Sequence, residues 1–315
     1  MSVTVIGGGV MGLCVATELQ GRGIPVAVRD EGPGPRACSW WAGGMLAPWC
    51  EGESAEEAVT RHGLGAADWW QAQGVPVARN GTLVLSLSRD AAALDRFARR
   101  SRGHRMLDAE GIAALEPDLA GRFARALFFA DEAHLDPRRA LAILSDRLGR
   151  TDSVAGQVID CRGLSARDAL RDLRGVRGEM VLIRCPEIAL SRPVRLLHPR
   201  MPLYVVPRGD GVFMLGATML ESDRRGPPTA RAVLELLSAG FALHPALAEA
   251  EVLELGADAR PAFPDNLPRI RRAGGVIHAN GLYRHGFLLA PAVARMVADH
   301  LQHQTRPEFM DADHD

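Results

Sequence analysis

Val3-Thr4-Val5-Ile6-Gly7-Gly8-Gly9-Val10-Met11-Gly12 opens the chain with a short β-type run, three consecutive glycines and the start of an apolar segment. Gly7, Gly9 and Gly12 satisfy G-x-G-x-x-G. Leu13, Cys14, Ala16, Thr17 and Leu19 follow at mixed helical spacing until Gly21 and Gly23 stop the helix. Pro25 to Arg29, with Val26 and Val28 alternating, predicts a second strand. A glycine-rich turn between strand and helix can cradle a dinucleotide. Gly7 permits the tight turn, Gly9 lets the backbone approach a pyrophosphate, and Gly12 lets helix and strand pack closely. The phosphates would rest on the helix N-terminus, at Val10 and Met11, where free N–H groups and the helix dipole supply a positive field. Asp30, 18 residues after Gly12, ends the second strand, where a carboxylate can accept hydrogen bonds from ribose hydroxyls. The motif leaves FAD and NAD equally open.

Further along, Ser54 with Glu57 predicts a capping box on a helix running from about residue 55 towards Gln73. Pro76 to Ala78 and Thr82 to Ser88, joined by Asn80-Gly81, predict a hairpin. Ser88 is expected to cap a helix to about Ser101, Asp108 another, and Asp136-Pro137 a third that reaches Leu148. Strands are expected at Leu127 to Ala130, at Gln157 to Cys161 and from Glu179 to Cys185. Leu203 to Pro207 and Val212 to Ala217 form a hairpin around Gly209-Asp210-Gly211. Thr229 caps a helix to about Leu243, Val252 to Leu255 and Val276 to Ala279 are strands, and a last helix covers Ala290 to Gln302. Asp311 to Asp315 reads as a frayed acidic tail. This order predicts an α/β protein. A Rossmann-like nucleotide domain is split over residues 1–75, 131–173 and 262–315, and an inserted antiparallel β-rich (α+β) substrate domain covers 76–130 and 174–261.

Composition narrows the chemistry. The 37 Lys+Arg of the 315 residues are all arginine, against 38 Asp+Glu. Schiff-base lysine chemistry, a P-loop lysine and a kinase-type ATP lysine are therefore excluded. A net charge of −1 argues against nucleic acid or an anionic membrane as partner. No apolar run is long enough to span a bilayer. Five scattered cysteines without CxxC or metal-type spacing fit a reducing cytoplasm, and no metal site is expected. The uncharged first 17 residues lack a basic flank and contain four glycines, so they read as a strand entering a helix rather than a signal peptide.

Ser39-Trp40-Trp41-Ala42-Gly43-Gly44-Met45-Leu46-Ala47-Pro48 follows the second strand with small residues that would let backbone N–H groups approach a flavin ring; an ordinary loop with two core tryptophans is the other reading. Five further pieces accompany it: Val5-Ile6-Gly7-Gly8-Gly9, Tyr204-Val205-Val206-Pro207-Arg208, Gly216-Ala217-Thr218-Met219, Ala259-Arg260-Pro261 and Tyr283-Arg284-His285-Gly286-Phe287-Leu288-Leu289-Ala290-Pro291. Their order and spacing resemble the FAD-dependent D-amino acid oxidase superfamily, and within it the glycine oxidases of thiamine biosynthesis.

The resemblance implies FAD as cofactor and oxidation of glycine or another small amine to an imine. It implies oxygen as acceptor, giving hydrogen peroxide, and delivery of the glycine imine to the thiazole ring. A homo-oligomer and a functional link to thiazole synthase are implied as well. Residue by residue, Arg260 would grip the substrate carboxylate, Tyr204 would add a hydroxyl to it, Met219 would line the pocket, and Arg284 would sit near the flavin and the substrate entrance. On the cofactor side the resemblance adds Ser39, Gly44, Met45, Leu46 and Gly163. It also adds His285, Gly286, Phe287 and Leu288, where a helix N-terminus would face the pyrimidine edge of the flavin. The chain departs from the family in two places. Only Gly149 to Gly156 stands where a longer β-containing stretch usually contributes to the adenosine site, and Trp40-Trp41 replaces smaller residues.

Residue chemistry leads the same way. Hydride transfer to a flavin needs positioning rather than a protein nucleophile. An amino acid offers its carboxylate as a handle, which an arginine fork can hold in a bidentate pair. Arg260, expected at a strand end before Pro261, is placed for this. His278 and His285 belong to no triad or metal-ligand set, and no general base is assigned. Three functions stay open: the oxidase, a flavin-dependent D-amino acid or proline-type dehydrogenase using another acceptor, and a non-catalytic subunit of degenerate flavoprotein fold.

Overall fold

The computed structural model describes residues 2–198 and 201–311. Val3–Ile6 lies inside a six-stranded sheet ordered 269–273, 276–280, 157–160, 3–6, 26–29, 149–150. It pairs in parallel with Val26–Arg29 on one side and Gln157–Asp160 on the other. Such a strand is covered on both faces, which is why it reads as a nearly continuous apolar run, its one polar residue, Thr4, donating to Ala155 O at 2.7 Å. The helices Val10–Gly21 and Gly286–His303 pack on this sheet and on each other, with Leu13, Leu19, Val293 and Val297 in the core.

The last helix begins at Gly286, four residues before the expected Ala290, although Pro291 lies inside it. Proline lacks the N–H that would bond the carbonyl four residues back. That carbonyl, Phe287 O, instead accepts the indole N–H of buried Trp70 at 2.8 Å. The helix keeps its turn because a side chain from elsewhere replaces the missing donor.

A nine-stranded sheet forms the second layer, ordered 251–262, 174–184, 212–216, 203–209, 194–197, 82–86, 125–129, 105–108, with Leu220–Glu221 pairing beside 212–216 on the same edge of 174–184. Its pairs are antiparallel except 194–197 with 82–86. Side chains alternate across it. Val181, Ile183, Leu203, Val205 and Leu215 face a core closed by the helix Ala230–Leu243, while the intervening Met180 and Tyr204 face a cavity between the two layers.

Several local expectations yield to long-range partners. Asn80-Gly81 does not turn the chain: Gly81 has φ 76°, yet the residues on both sides pair with one neighbouring segment, Ala78 with His134 and Thr82 with Phe129. It does not make a hairpin, because Ala78 bridges to His134 and Thr82–Ser86 inserts between 125–129 and 194–197. Ser54 caps nothing: its N–H bonds Glu51 O, closing the short helix Pro48–Glu51, and the next helix, Glu57–Gly63, starts after Glu56. Ser88 lies in a 3-10 turn before the helix Ala91–Arg100, which has no side-chain cap. Asp108, Asp136 and Thr229 do cap their helices. Asp311 is not frayed, since it pairs with Arg269 and Arg271; residues 312–315 lie outside the described residues. No helix among the described residues is long and apolar enough to cross a membrane.

Candidate functional site

A cavity of about 660 Å³ runs between the sheets. Gly7, Gly9, Val10, Met11, Asp30, Ser39 and Gly163 line one end. Gly7 has φ 109°, and a Cβ there would stand 2.7 Å from Cys161 O, so only glycine makes this turn. A Cβ on Gly8 would come 2.6 Å from Asp30 Oδ1, so the second glycine of the run makes room for the acid of the next strand. Gly12 does not reach the cavity. It lets the helix lie on the strand, since a Cβ would overlap the Gly7 carbonyl. Ser39 Oγ accepts the Val10 N–H at 3.1 Å, and the first intrahelical bond is Leu13 N–H to Gly9 O. Val10's donor is therefore used, and Met11 and Gly12 offer the free N–H groups of the helix start. A cradle without side chains, ending in a helix N-terminus and a carboxylate, fits the pyrophosphate and ribose of FAD.

The middle of the cavity is lined by Gly44, Met45, His285, Gly286, Phe287 and Leu288. Met45–Leu46 pairs with Ala133–His134, which turns Met45 to the cavity and Leu46 into the core at 1% exposure, so Leu46 does not contact the site through its side chain. Arg208 holds the preceding loop, donating to Ala42 O at 3.1 Å, Gly43 O at 2.9 Å and Leu135 O at 3.2 Å. Burial lowers this guanidinium to about 10.

At the far end stand Tyr204, Met219, Arg260 and Arg284. Arg260 lies within the strand Glu251–Ala262 rather than at its end, opposite Val176. Its guanidinium passes over Gly178, and Nη1 donates to Thr218 O at 3.2 Å. Among the described residues no carboxylate lies within ion-pair distance of it. Tyr204 covers Gly216, where a Cβ would sit 2.8 Å from its hydroxyl. Burial pushes that phenol above its ordinary range, so it stays protonated and can donate.

Arg284 is not free. Its Nε donates to Glu51 Oε2 at 2.6 Å, and Nη2 pairs with the same oxygen. Against the upward push of burial, Arg284 holds the Glu51 carboxyl at about 2. His285 Nδ1 lies 3.4 Å from Glu51 Oε2 without hydrogen-bond geometry, and burial lowers His285 to about 4, so the ring is neutral. Met219, 52% exposed, stands at the rim, its Sδ 3.3 Å from the Tyr283 hydroxyl and 3.6 Å from Arg284 Nη1.

Glu51, Arg208 and Gly178 are the residues that sequence reasoning missed. Glu51 sits among Glu53, Glu56 and Glu57 with nothing to set it apart. Gly178 carried a usable signal, because a glycine inside a strand marks a close approach by another group.

The chain matches the FAD dependent oxidoreductase (DAO) family over residues 2–151 and 143–300. It is 54% identical, over 98% of its length and 99% of the relative's, to a protein of Rhizobium etli provisionally named thiamine biosynthesis oxidoreductase ThiO. It is 29% identical to the glycine oxidase of Pseudomonas putida, covering 94% of this chain and 93% of that one. Its fold matches the solved glycine oxidase of Geobacillus kaustophilus with a TM-score of 0.80, 23% identity, and coverage of 98% and 96%.

Proposed function

The chain belongs to the FAD dependent oxidoreductase family, and from that premise we propose that it oxidises the amine of glycine or another small amine to the imine while oxygen is reduced to hydrogen peroxide. The iminoglycine would feed the thiazole ring in thiamine biosynthesis, which links the enzyme functionally to thiazole synthase in the cytoplasm. One observation carries the reading: Arg260, half-buried and without a carboxylate partner among the described residues, shares a cavity with the Gly7–Gly12 cradle.

In this reading the six-stranded sheet segments (1–75, 131–173 and 262–315) hold FAD, and segments 76–130 and 174–261 hold the substrate. Gly7, Gly9, Met11 and Asp30 hold the pyrophosphate and ribose end, and the loop Gly44–Met45 with the start of the helix Gly286–His303 borders the flavin ring. Bound FAD would supply the two-electron acceptor. Arg260 takes the substrate carboxylate in a bidentate pair, and the protonated Tyr204 hydroxyl donates to it. Thr218 O fixes one arm of Arg260, so the carboxylate meets a preset fork. Glu51 is held ionised by Arg284, and no protein base is assigned. The amine binds neutral from solution, and Tyr204 and Met219 narrow the access of water.

The test is the absorbance of the purified protein. A yellow flavin spectrum should bleach anaerobically on glycine and return in air with peroxide released. A colourless protein that takes up no added FAD would sink the proposal; bleaching by glycine with no peroxide in air would replace oxygen by another acceptor.

A further inference from the structure

At the end of the cavity around Tyr204, three half-buried arginines, Arg195, Arg260 and Arg284, stand with the carboxylate of Glu51, while the exposed Arg231 and the half-buried Glu235 line it from the helix Ala230–Leu243. Glu51 Oε2 takes the Nε and Nη2 protons of Arg284, and Arg195 Nη1 stands 3.9 Å from Glu51 Oε1. Arg260 has no such partner among the described residues. The two sides of the pocket are one residue apart along the chain. Thr218 O accepts from Arg260 Nη1, and the adjoining Met219 Sδ lies 3.6 Å from Arg284 Nη1. Arg260, Arg284 and Glu51 all act on the Tyr204 hydroxyl in the same cavity, so an amino acid whose carboxylate sits on Arg260 faces the Glu51–Arg284 pair across it.

We propose that Glu51 sets the substrate class of this site: by occupying Arg284 it leaves Arg260 as the one half-buried arginine of the lining without a carboxylate partner among the described residues, so the pocket takes amines bearing a single carboxylate and discriminates against those carrying a second one on the nitrogen substituent. The proposal rests on the reading of Arg260 as the carboxylate anchor. Its physics is local. A second carboxylate near the pair would lose hydration, find the neighbouring fork of Arg284 already engaged, and face the like charge of Glu51 in a partly desolvated cavity. Replacing Glu51 by its neutral isostere reverses these effects together, because Arg284 becomes a free planar fork of the kind that binds carboxylates in two parallel hydrogen bonds.

The experiment uses FAD-loaded enzyme and two substrates, glycine and iminodiacetate, the latter the smallest secondary amine with two carboxymethyl groups. Wild type, Glu51→Gln and the double variant Glu51→Gln/Arg284→Leu are compared, with flavin absorbance recorded for each. In Glu51→Gln the ratio of kcat/KM for iminodiacetate to that for glycine should rise about tenfold or more, the size of one charge-assisted hydrogen bond, mainly through KM. The double variant, with the freed cation removed, should fall back towards the wild-type ratio. An unchanged ratio in flavin-replete Glu51→Gln would overturn the proposal, as would a gain that survives in the double variant. Should Glu51→Gln fail to hold flavin, wild type alone decides, through inhibition of glycine oxidation by methoxyacetate and by diglycolate, which adds one carboxylate to the same skeleton. The proposal requires diglycolate to inhibit about tenfold more weakly, and equal inhibition overturns it. Failure of the underlying anchor is seen separately, as an Arg260→Ala variant whose KM for glycine does not move.

Discussion

The guanidinium of Arg260 lies so close over Gly178 on the neighbouring strand that a Cβ at position 178 would overlap Nη2. The two residues are diagonal across one pair of antiparallel strands, Gly178 facing Asp258 and Arg260 facing Val176. The missing side chain at 178 is thus what lets the fork rest in the cavity. Gly178→Ala should push the fork aside and raise KM for glycine about tenfold, with flavin content unchanged. Steady-state kinetics with the flavin spectrum of the same sample check this; an unmoved KM would separate Arg260 from substrate binding.

Removing the fork is the stronger form of the same argument. A bidentate pair contains two charge-assisted hydrogen bonds, each worth about 1.5–3 kcal/mol, so Arg260→Ala should lower kcat/KM for glycine about a hundredfold or more. FAD should be retained, because Arg260 lies at the far end of the cavity from the Gly7–Gly12 turn. Loss of the yellow colour instead would make Arg260 a structural residue.

The contrast between the two ends of the cavity explains what could be read from the chain. The nucleotide end is built from backbone, and much of its geometry is written locally: Gly8 and Gly12 each exclude a Cβ from an atom within one strand–helix–strand unit, at Asp30 Oδ1 and Gly7 O, while Gly7 makes room for Cys161 O of a distant segment. The end around Arg260 joins residues far apart in the chain. Glu51 meets Arg284 across 233 positions, and Gly178 meets Arg260 across two long strands. The resemblance to known oxidases names Arg260 and Tyr204, yet it says nothing of what neutralises Arg284. The same logic covers the fold. Asp108, Asp136 and Thr229 cap helices because capping needs only neighbours, whereas Asn80-Gly81 makes no hairpin because the segments on both sides of it pair along 126–134 instead of with each other.

Gly12 gives a prediction at the nucleotide end. A Cβ there would overlap the Gly7 carbonyl, and backbone cannot swing aside as a side chain can. Overpacking of this kind costs about 1–3 kcal/mol. Gly12→Ala should therefore lower the melting temperature by several degrees, and by tilting the helix start it should weaken FAD binding. Both effects are read from a thermal melt and from the flavin-to-protein ratio after purification. A variant with normal flavin content and normal melting would contradict the packing role.

Glu132 supplies a pH dependence of definite sign. It is 1% exposed, its Oε1 accepts the Cys50 N–H at 2.7 Å, and its Oε2 and the hydroxyl of Thr82 are buried without hydrogen-bond partners. Burial raises the carboxyl from its usual value to about 7. The folded form therefore holds this proton more tightly than the unfolded chain does, so the contribution is fully present below about pH 4.5 and is lost as pH rises through about 7. Glu132→Gln has no proton to lose and should escape that loss. Other groups act in the opposite direction: His134 and His285, both lowered to about 4 by burial, contribute stability above about 6.5 that disappears as pH falls through 4. They are common to both proteins and cancel in the difference. The melting temperature of wild type minus that of Glu132→Gln should thus fall steadily between pH 5 and pH 8. A difference that stays level over this range would mean that Glu132 is ionised throughout and that its Cys50 contact, with water or Thr82, already compensates its charge.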